Sequence, residues 1–271
     1  MLYFILRYIL RYRQKVVRQN LRNAFPHKTE SELRQIENGF YHHLSRLIRQ
    51  ILITPFLSQK AIKQRFQLTN VEVLDSLASQ QRIISQVFGH FANWEWAICI
   101  PLYTNKVYGT TLYKQLSNKW LDNIMLRTRS QYGVECIEHK SSIRRIMQLQ
   151  KSEKSPVFTF IADQTPTRPS AHHWITFLNQ PTPIITGWAE LAQRYNWALL
   201  YLDIKYIKHG QYQVTYEVLA ENCNQYSAKQ LGAMFMHRLE QSINQNPELW
   251  MWSHRRWKLQ YNGETLNVDE K

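Results

Sequence analysis

A histidine and a carboxylate stand five residues apart in Ser85-Gln86-Val87-Phe88-Gly89-His90-Phe91-Ala92-Asn93-Trp94-Glu95-Trp96, where an apolar run gives way to glycine. An imidazole titrates near neutrality, and a carboxylate beside it orients the ring. His90 and Glu95 therefore have the makings of a general base for a hydroxyl. Spacing alone carries little. With ten histidines and twenty acidic residues in the chain, chance supplies roughly one such pair. A second pair, His27 and Glu32, does occur. It has a simpler reading, because Thr29-Glu30-Ser31-Glu32 is a capping box that opens a helix.

The first pair must take its meaning from the elements that position it. Helices fill the first third, roughly 2–24 and then 29–53 after the break at Pro26, with short pieces to about 80. Beyond that point strands over 82–88, 107–113, 134–137 and 156–162 alternate with helices over 93–103, 118–131, 142–150 and 187–195. A hairpin joins 198–207 to 211–219 around His209-Gly210, and 227–245 forms a last long amphipathic helix. The alternation predicts an α/β fold, a mixed β-sheet flanked by helices, with a helical N-terminal layer. The layer spans 1–80 and the α/β region 81–271, within one domain overall.

Ligands of open α/β sheets bind outside the carboxyl ends of the strands, and His90 lies at such a turn. Asn93 reads as an N-cap, which puts Glu95 in the first helical turn. Two residues five apart on one straight helix diverge by about 140°. With His90 in the loop, the Glu95 carboxylate can swing back toward the imidazole. Gly89 lets a substrate approach the backbone closely. The competing reading is a histidine that only packs locally.

Composition narrows the classes. The chain has 271 residues, 44% hydrophobic and 20% charged, which suits a folded core rather than disorder. Three scattered cysteines, Cys99, Cys136 and Cys223, fit reduced thiols and form no zinc motif. There are eight glycines and no phosphate-cradling GxGxxG or GxxxxGK[ST] pattern. The formal charge of +14 is unevenly spread: no acidic residue precedes Glu30, while Arg7, Arg11, Arg13, Lys15, Arg18, Arg22 and Lys28 all do. Apolar residues interleave with them, as in a helix lying on an anionic membrane surface. A solvated basic helix packed on its own domain competes equally, and no nucleic-acid fold signature appears. The apolar start is too short and too charged to span a bilayer, which takes about 20 mostly apolar residues.

At these residues the chain resembles the lipid A biosynthesis acyltransferases, the late lauroyl and myristoyl transferases of Gram-negative bacteria, within the wider lysophospholipid acyltransferase-like group. The resemblance rests on Gly89-His90-Phe91-Ala92-Asn93-Trp94-Glu95 and on the segment from Arg13 to Pro26. It extends through Tyr113, Asn118, Leu121-Asp122, Arg127-Thr128-Arg129, Ala162-Asp163-Gln164, Phe177-Leu178, Pro181-Thr182 and Gly187. It ends in Asn246-Pro247-Glu248-Leu249-Trp250-Met251-Trp252-Ser253-His254-Arg255-Arg256-Trp257-Lys258. It implies a glycerolipid acyltransferase-like fold at the cytoplasmic face of the inner membrane. It also implies an acyl-acyl carrier protein as co-substrate, a lipid acceptor, and no cofactor or metal.

His90 and Glu95 match the family's HX4(D/E) catalytic pair, and Arg129 a functionally important arginine, with Arg127 its neighbouring competitor. Ala92 stands where the family commonly has Gly. Members usually begin with a full membrane-spanning helix, of which only the end is recognisable here. Asn93, Trp94, Asn118, Arg127, Asp163, Gln164, His254, Arg255 and Arg256 complete the candidate substrate-binding set. Asp163, at a strand end, reads as orienting substrate, binding Arg129 or capping a turn. The arginines of 254–258 suit phosphate and the tryptophans around them a headgroup layer; a packed basic strand competes. Trp94 and Trp96 are candidate walls of an acyl pocket. His172-His173 would point to opposite faces of a strand, so a metal site is not expected there. Arg168 and Arg144-Arg145 read as solvated or as a docking patch for an acidic carrier. No cysteine lies in the His90 loop, which favours direct attack by the acceptor hydroxyl. Rival readings are a lysophospholipid or amino-acid-lipid acyltransferase, an esterase, and a non-enzymatic basic surface binder.

Overall fold

The computed structural model describes residues 1–113, 115, 118–259 and 261. In chain order its strands are β1 (Phe66–Leu68), β2 (Ile84–Phe88), β3 (Val107–Tyr113), β4 (Glu135–Glu138), β5 (Ser155–Ile161), β6 (Trp174–Phe177), β7 (Gln180–Pro183), β8 (Ala198–Tyr206) and β9 (Tyr212–Ala220). Its helices are α1 (Leu2–Phe4), α2 (Gln14–Ala24), α3 (Glu30–Ile53), α4 (Gln59–Arg65), α5 (Glu72–Ser79), α6 (Lys119–Ser130), α7 (Ser142–Leu149), α8 (Gly187–Arg194) and α9 (Ala228–Gln245). Seven strands form one sheet in the order β1-β9-β8-β2-β5-β3-β4. All neighbours run parallel except β8 and β9, so the sheet is mixed. Strand β2 sits at its centre and is buried at every position, as expected of a strand covered on both faces. One apolar core runs from Leu6 to Trp252 and takes in helices of the N-terminal layer as well as the sheet.

The structure departs from the sequence reading in three places. The first helix does not run unbroken over 2–24. It ends in a π-helical turn at Ile5–Ile9, and Arg11 and Arg13 take left-handed φ values of 45° and 48° before α2 begins. Ion pairing holds this irregular start: the buried Glu37 of α3 receives Arg7 at 2.7 Å and Arg18 at 3.1 Å. Second, residues Trp94–Leu102 form a 3₁₀ helix, not an α-helix. The segment is apolar nearly all round, and Pro101 within it would clash with the carbonyl four residues back in an α-helix. Third, the β6–β7 hairpin and the three-residue β1 carry no readable alternation; Pro181 and Pro183 mask the former.

Where strong local chemistry exists, the structure follows it. Thr29 and Glu32 make the capping box of α3, and Ser227 and Gln230 make one for α9. The β8–β9 turn uses His209 and Gly210 with φ of 48° and 77°. Segments distant in sequence meet near the His90 loop. Trp250 bridges Phe91 in antiparallel fashion, with Ala92 N–H donating to Leu249 O at 2.9 Å and Met251 N–H to His90 O at 3.1 Å. From α2, the Asn20 amide donates to the carbonyls of Trp252 (2.8 Å) and His254 (2.9 Å), and Arg13 donates to Ser253 O at 3.0 Å. The 246–258 segment thus holds the loop directly, and α2 holds that segment in turn.

Candidate active site

The parallel register of β2 and β5 builds the site. Phe88 pairs with Ile161, an offset that carries two residues past both strand ends to His90 and Asp163. Asp163 is 2% exposed, and its Oδ1 lies 2.6 Å from His90 Nδ1. Its Oδ2 accepts from His90 N–H at 2.8 Å and from Trp250 Nε1 at 2.8 Å. Gly89 makes room for this carboxylate: a Cβ there would sit 2.9 Å from Asp163 Oδ2 and 2.6 Å from Leu239 Cδ2. Gly89→Ala is therefore expected to displace Asp163 and lower activity about tenfold or more. Overpacking of this kind costs about 1–3 kcal/mol, so its melting temperature should fall by several degrees. A thermal melt and a turnover assay read both effects.

The electrostatics favour a proton on the imidazole. Burial pushes the His90 pKa down, but the charge and hydrogen bond of Asp163 outweigh it, with a smaller lift from Glu95 and a smaller drop from Arg129. The net direction is up. Burial alone would raise Asp163, yet the His90 charge and three hydrogen bonds bring it well below the usual carboxylate range. Asp163 thus stays ionised and accepts from Nδ1–H, leaving the lone pair of neutral His90 on Nε2. The Gln164 amide nitrogen sits 3.1 Å from that Nε2. Trp94 stands edge-on to the ring with centroids 5.0 Å apart.

Glu95 does not reach the imidazole. It forms a bidentate pair with Arg129, Nη2 to Oε1 at 3.0 Å and Nε to Oε2 at 3.4 Å. The 3₁₀ geometry and the arginine opposite explain why the expected swing toward His90 does not occur. Asp163, read from the sequence as a substrate, arginine or turn-capping group, holds the histidine instead. Glu95 and Arg129 line a cleft of about 70 Å³ together with Phe88, Trp94, Ile98, Leu112 and Ile161.

The other candidates divide. Asn93 is buried and donates to Gln50 Oε1 at 3.0 Å, with no capping bond, so it fixes the loop from behind. Trp96 is buried away from the cleft and donates to Thr54 Oγ1 at 2.9 Å. Asn118 caps α6 by accepting from Trp120 N–H at 3.0 Å, and Arg127 points outward. Ala92 has φ of 51°, which gives a reason for glycine at this position: a left-handed Cβ costs about 1–2 kcal/mol. His254 rests 3.4 Å from the Thr165 backbone and hydroxyl, and burial holds its pKa down to about 4. Arg255 is exposed, whereas Arg256 is fully buried and donates to Pro183 O at 2.6 Å. Burial holds the Arg256 pKa down to about 10. The 254–258 stretch is turn and loop, not the packed basic strand that competed with the phosphate reading. Trp250 and Trp252 are buried, so neither forms a headgroup layer. Arg145 pairs with Glu135 at 2.7 Å, while Arg144 and Arg168 are exposed. Among the described residues no group of three or more His, Cys, Asp or Glu could hold a metal ion.

Sequence reasoning missed the pairing of Asp163 with His90 and the part of Trp250. The signal was the strand-end position of Asp163, which becomes decisive once β5 is known to lie beside β2 in parallel.

A carboxylate-held imidazole stands at the carboxyl edge of a mixed α/β sheet, and Trp94, which packs against its ring, also lines the small cleft with Glu95 and Arg129, an arrangement chemically able to take a proton from a hydroxyl. A family model of bacterial lipid A biosynthesis acyltransferases matches residues 3–259. The chain belongs to that family and is an acyltransferase of lipid A biosynthesis. No curated protein matches it. Among the described residues no helix is long and apolar enough to cross a membrane.

Proposed function

We propose that this enzyme moves a fatty acyl chain from acyl-acyl carrier protein to a hydroxyl of a lipid A precursor, at the cytoplasmic face of the inner membrane. The observation that carries the reading is the His90–Asp163 pair, which leaves Nε2 as the basic nitrogen. The acceptor hydroxyl gives its proton to Nε2 as its oxygen attacks the thioester carbonyl carbon. A tetrahedral intermediate forms, the C–S bond breaks, and the imidazolium returns the proton to the leaving thiolate. Asp163 keeps the ring in the right tautomer and steadies the imidazolium, the part first assigned to Glu95. Glu95 instead orients Arg129, which meets phosphate or the oxyanion.

No enzyme-bound acyl group is needed. Cys99 and Cys223 are buried and Cys136 partly so, and burial pushes all three thiols up, away from the reactive thiolate. The cleft of about 70 Å³ beside Arg129 has room for about two waters. It must widen to admit a fatty chain, and its apolar walls suit one. Phe4, Ile9, Leu10, Leu52 and Phe56 are exposed, and Arg11 and Lys15 are exposed beside the first three in the chain. Such a face suits an anionic bilayer. The reading is tested by mass spectrometry of lipid A from cells lacking the gene: lipid A short of one acyl chain is expected, restored by the wild-type gene. Unchanged lipid A would rule out this acceptor.

A further inference from the structure

The lone pair that must accept the acceptor's proton is already occupied. Nδ1 of His90 donates to Asp163, so the Gln164 amide at 3.1 Å must donate to Nε2. Gln164 directly follows Asp163 beyond β5, so one strand end carries both the group that activates the base and the group that covers it. The two differ in freedom: Asp163 is buried and fixed by three hydrogen bonds, whereas the Gln164 side chain is only partly buried. The imidazole is also within reach of solvent, with 19% of its side chain exposed.

We infer that Gln164 gates the base, holding His90 Nε2 against water until the hydroxyl of the lipid acceptor displaces its amide, and so suppresses wasteful hydrolysis of the thioester donor. This inference rests on the acyl-transfer reading above. The suppressed reaction is the transfer step with water in place of the acceptor. Water gives a proton to Nε2, its oxygen joins the carbonyl carbon, the C–S bond breaks, and the thiolate takes the proton back, releasing fatty acid and free thiol. A single water that displaces the amide gains only one hydrogen bond for the one it breaks. The lipid acceptor brings binding energy from the rest of its surface to the same exchange. The imidazolium formed in the step needs an acceptor at Nε2–H, and the same amide can supply its oxygen by rotation, so Gln164 can accompany the base through the cycle.

The test compares wild type, Gln164→Ala and the volume-matched Gln164→Met. The donor is labelled lauroyl-acyl carrier protein, with and without purified under-acylated lipid A, and thermal melts check folding. The ratio of donor hydrolysis to acyl transfer is expected to rise about tenfold in both variants, the scale of one lost hydrogen bond. An unchanged ratio overturns the gate. A rise in Gln164→Ala alone assigns the effect to volume and overturns the hydrogen-bond account, and an equal fall of both activities makes Gln164 merely structural. Failure of the wild type to acylate lipid A sinks the parent reading instead, and the hydrolysis rates still report on the gate.

Discussion

Asp163→Asn is expected to lower kcat about 10³- to 10⁴-fold with the fold intact, the scale known for neutralising a triad aspartate. The reason is a count of donors. Asp163 Oδ2 accepts two N–H groups, from His90 and Trp250, while Oδ1 faces Nδ1 alone. An asparagine has one oxygen. Aimed at Nδ1, it would leave its NH₂ against two buried donors, each costing about 1–3 kcal/mol unsatisfied. Turned the other way, it satisfies both and donates its NH₂ to Nδ1. That second arrangement wins, and it forces the proton onto Nε2, where the enzyme needs a lone pair. The carboxylate charge that raises the His90 pKa is lost as well, so the acid limb of any remaining activity moves to lower pH. Steady-state kcat against pH, with a thermal melt alongside, reads these effects; a loss smaller than tenfold would overturn the assignment.

The same pair couples stability and activity with opposite signs. The folded-state pKa of His90 lies above its ordinary value near 6.5. Its stabilising contribution is therefore complete below that ordinary value and fades as pH rises through the raised one. A proposed general base works only as the neutral ring, so activity is expected to grow across the same window. The charged pair that best holds the loop is the form that cannot act as a base.

The fold was legible wherever short-range chemistry decided it. The Thr29 box, the last helix from 227, the His209-Gly210 turn and the strand run ending at 88 are statements about neighbours in sequence. Strand and helix alternation then sufficed for a mixed α/β sheet. The site was half legible. His90 could be placed at a strand end, but its partner comes from 73 residues away, through a register that exists only once β5 lies beside β2. Local spacing proposed Glu95 because it is near in sequence. Space gave Glu95 to Arg129, a residue whose distance from it no periodicity encodes. The 250–258 stretch shows the converse: composition suggested a lipid-facing set, but burial puts Trp250, Trp252 and Arg256 inside, where Trp250 donates to Asp163.

His90→Ala is expected to reduce kcat by about 10² to 10⁴ while donor binding persists, because the imidazole serves the proton and not the chain. Its residual rate should also lose the acid limb, since the group that titrates there is gone. The sharper result comes from pairing this variant with others. Asp163 touches the reaction only through the imidazole, so His90→Ala with Asp163→Asn should be no slower than His90→Ala alone, as for members of one catalytic unit. Glu95 acts through Arg129, on a separate line to the substrate. Glu95→Gln should therefore slow the His90→Ala enzyme further, by about the factor it costs the wild type. Label transfer to lipid A by the wild type, the three single variants and the two double variants separates the two cases. Additive losses for Asp163 with His90, or none added by Glu95, would return the sequence-based pairing of His90 with Glu95 to first place.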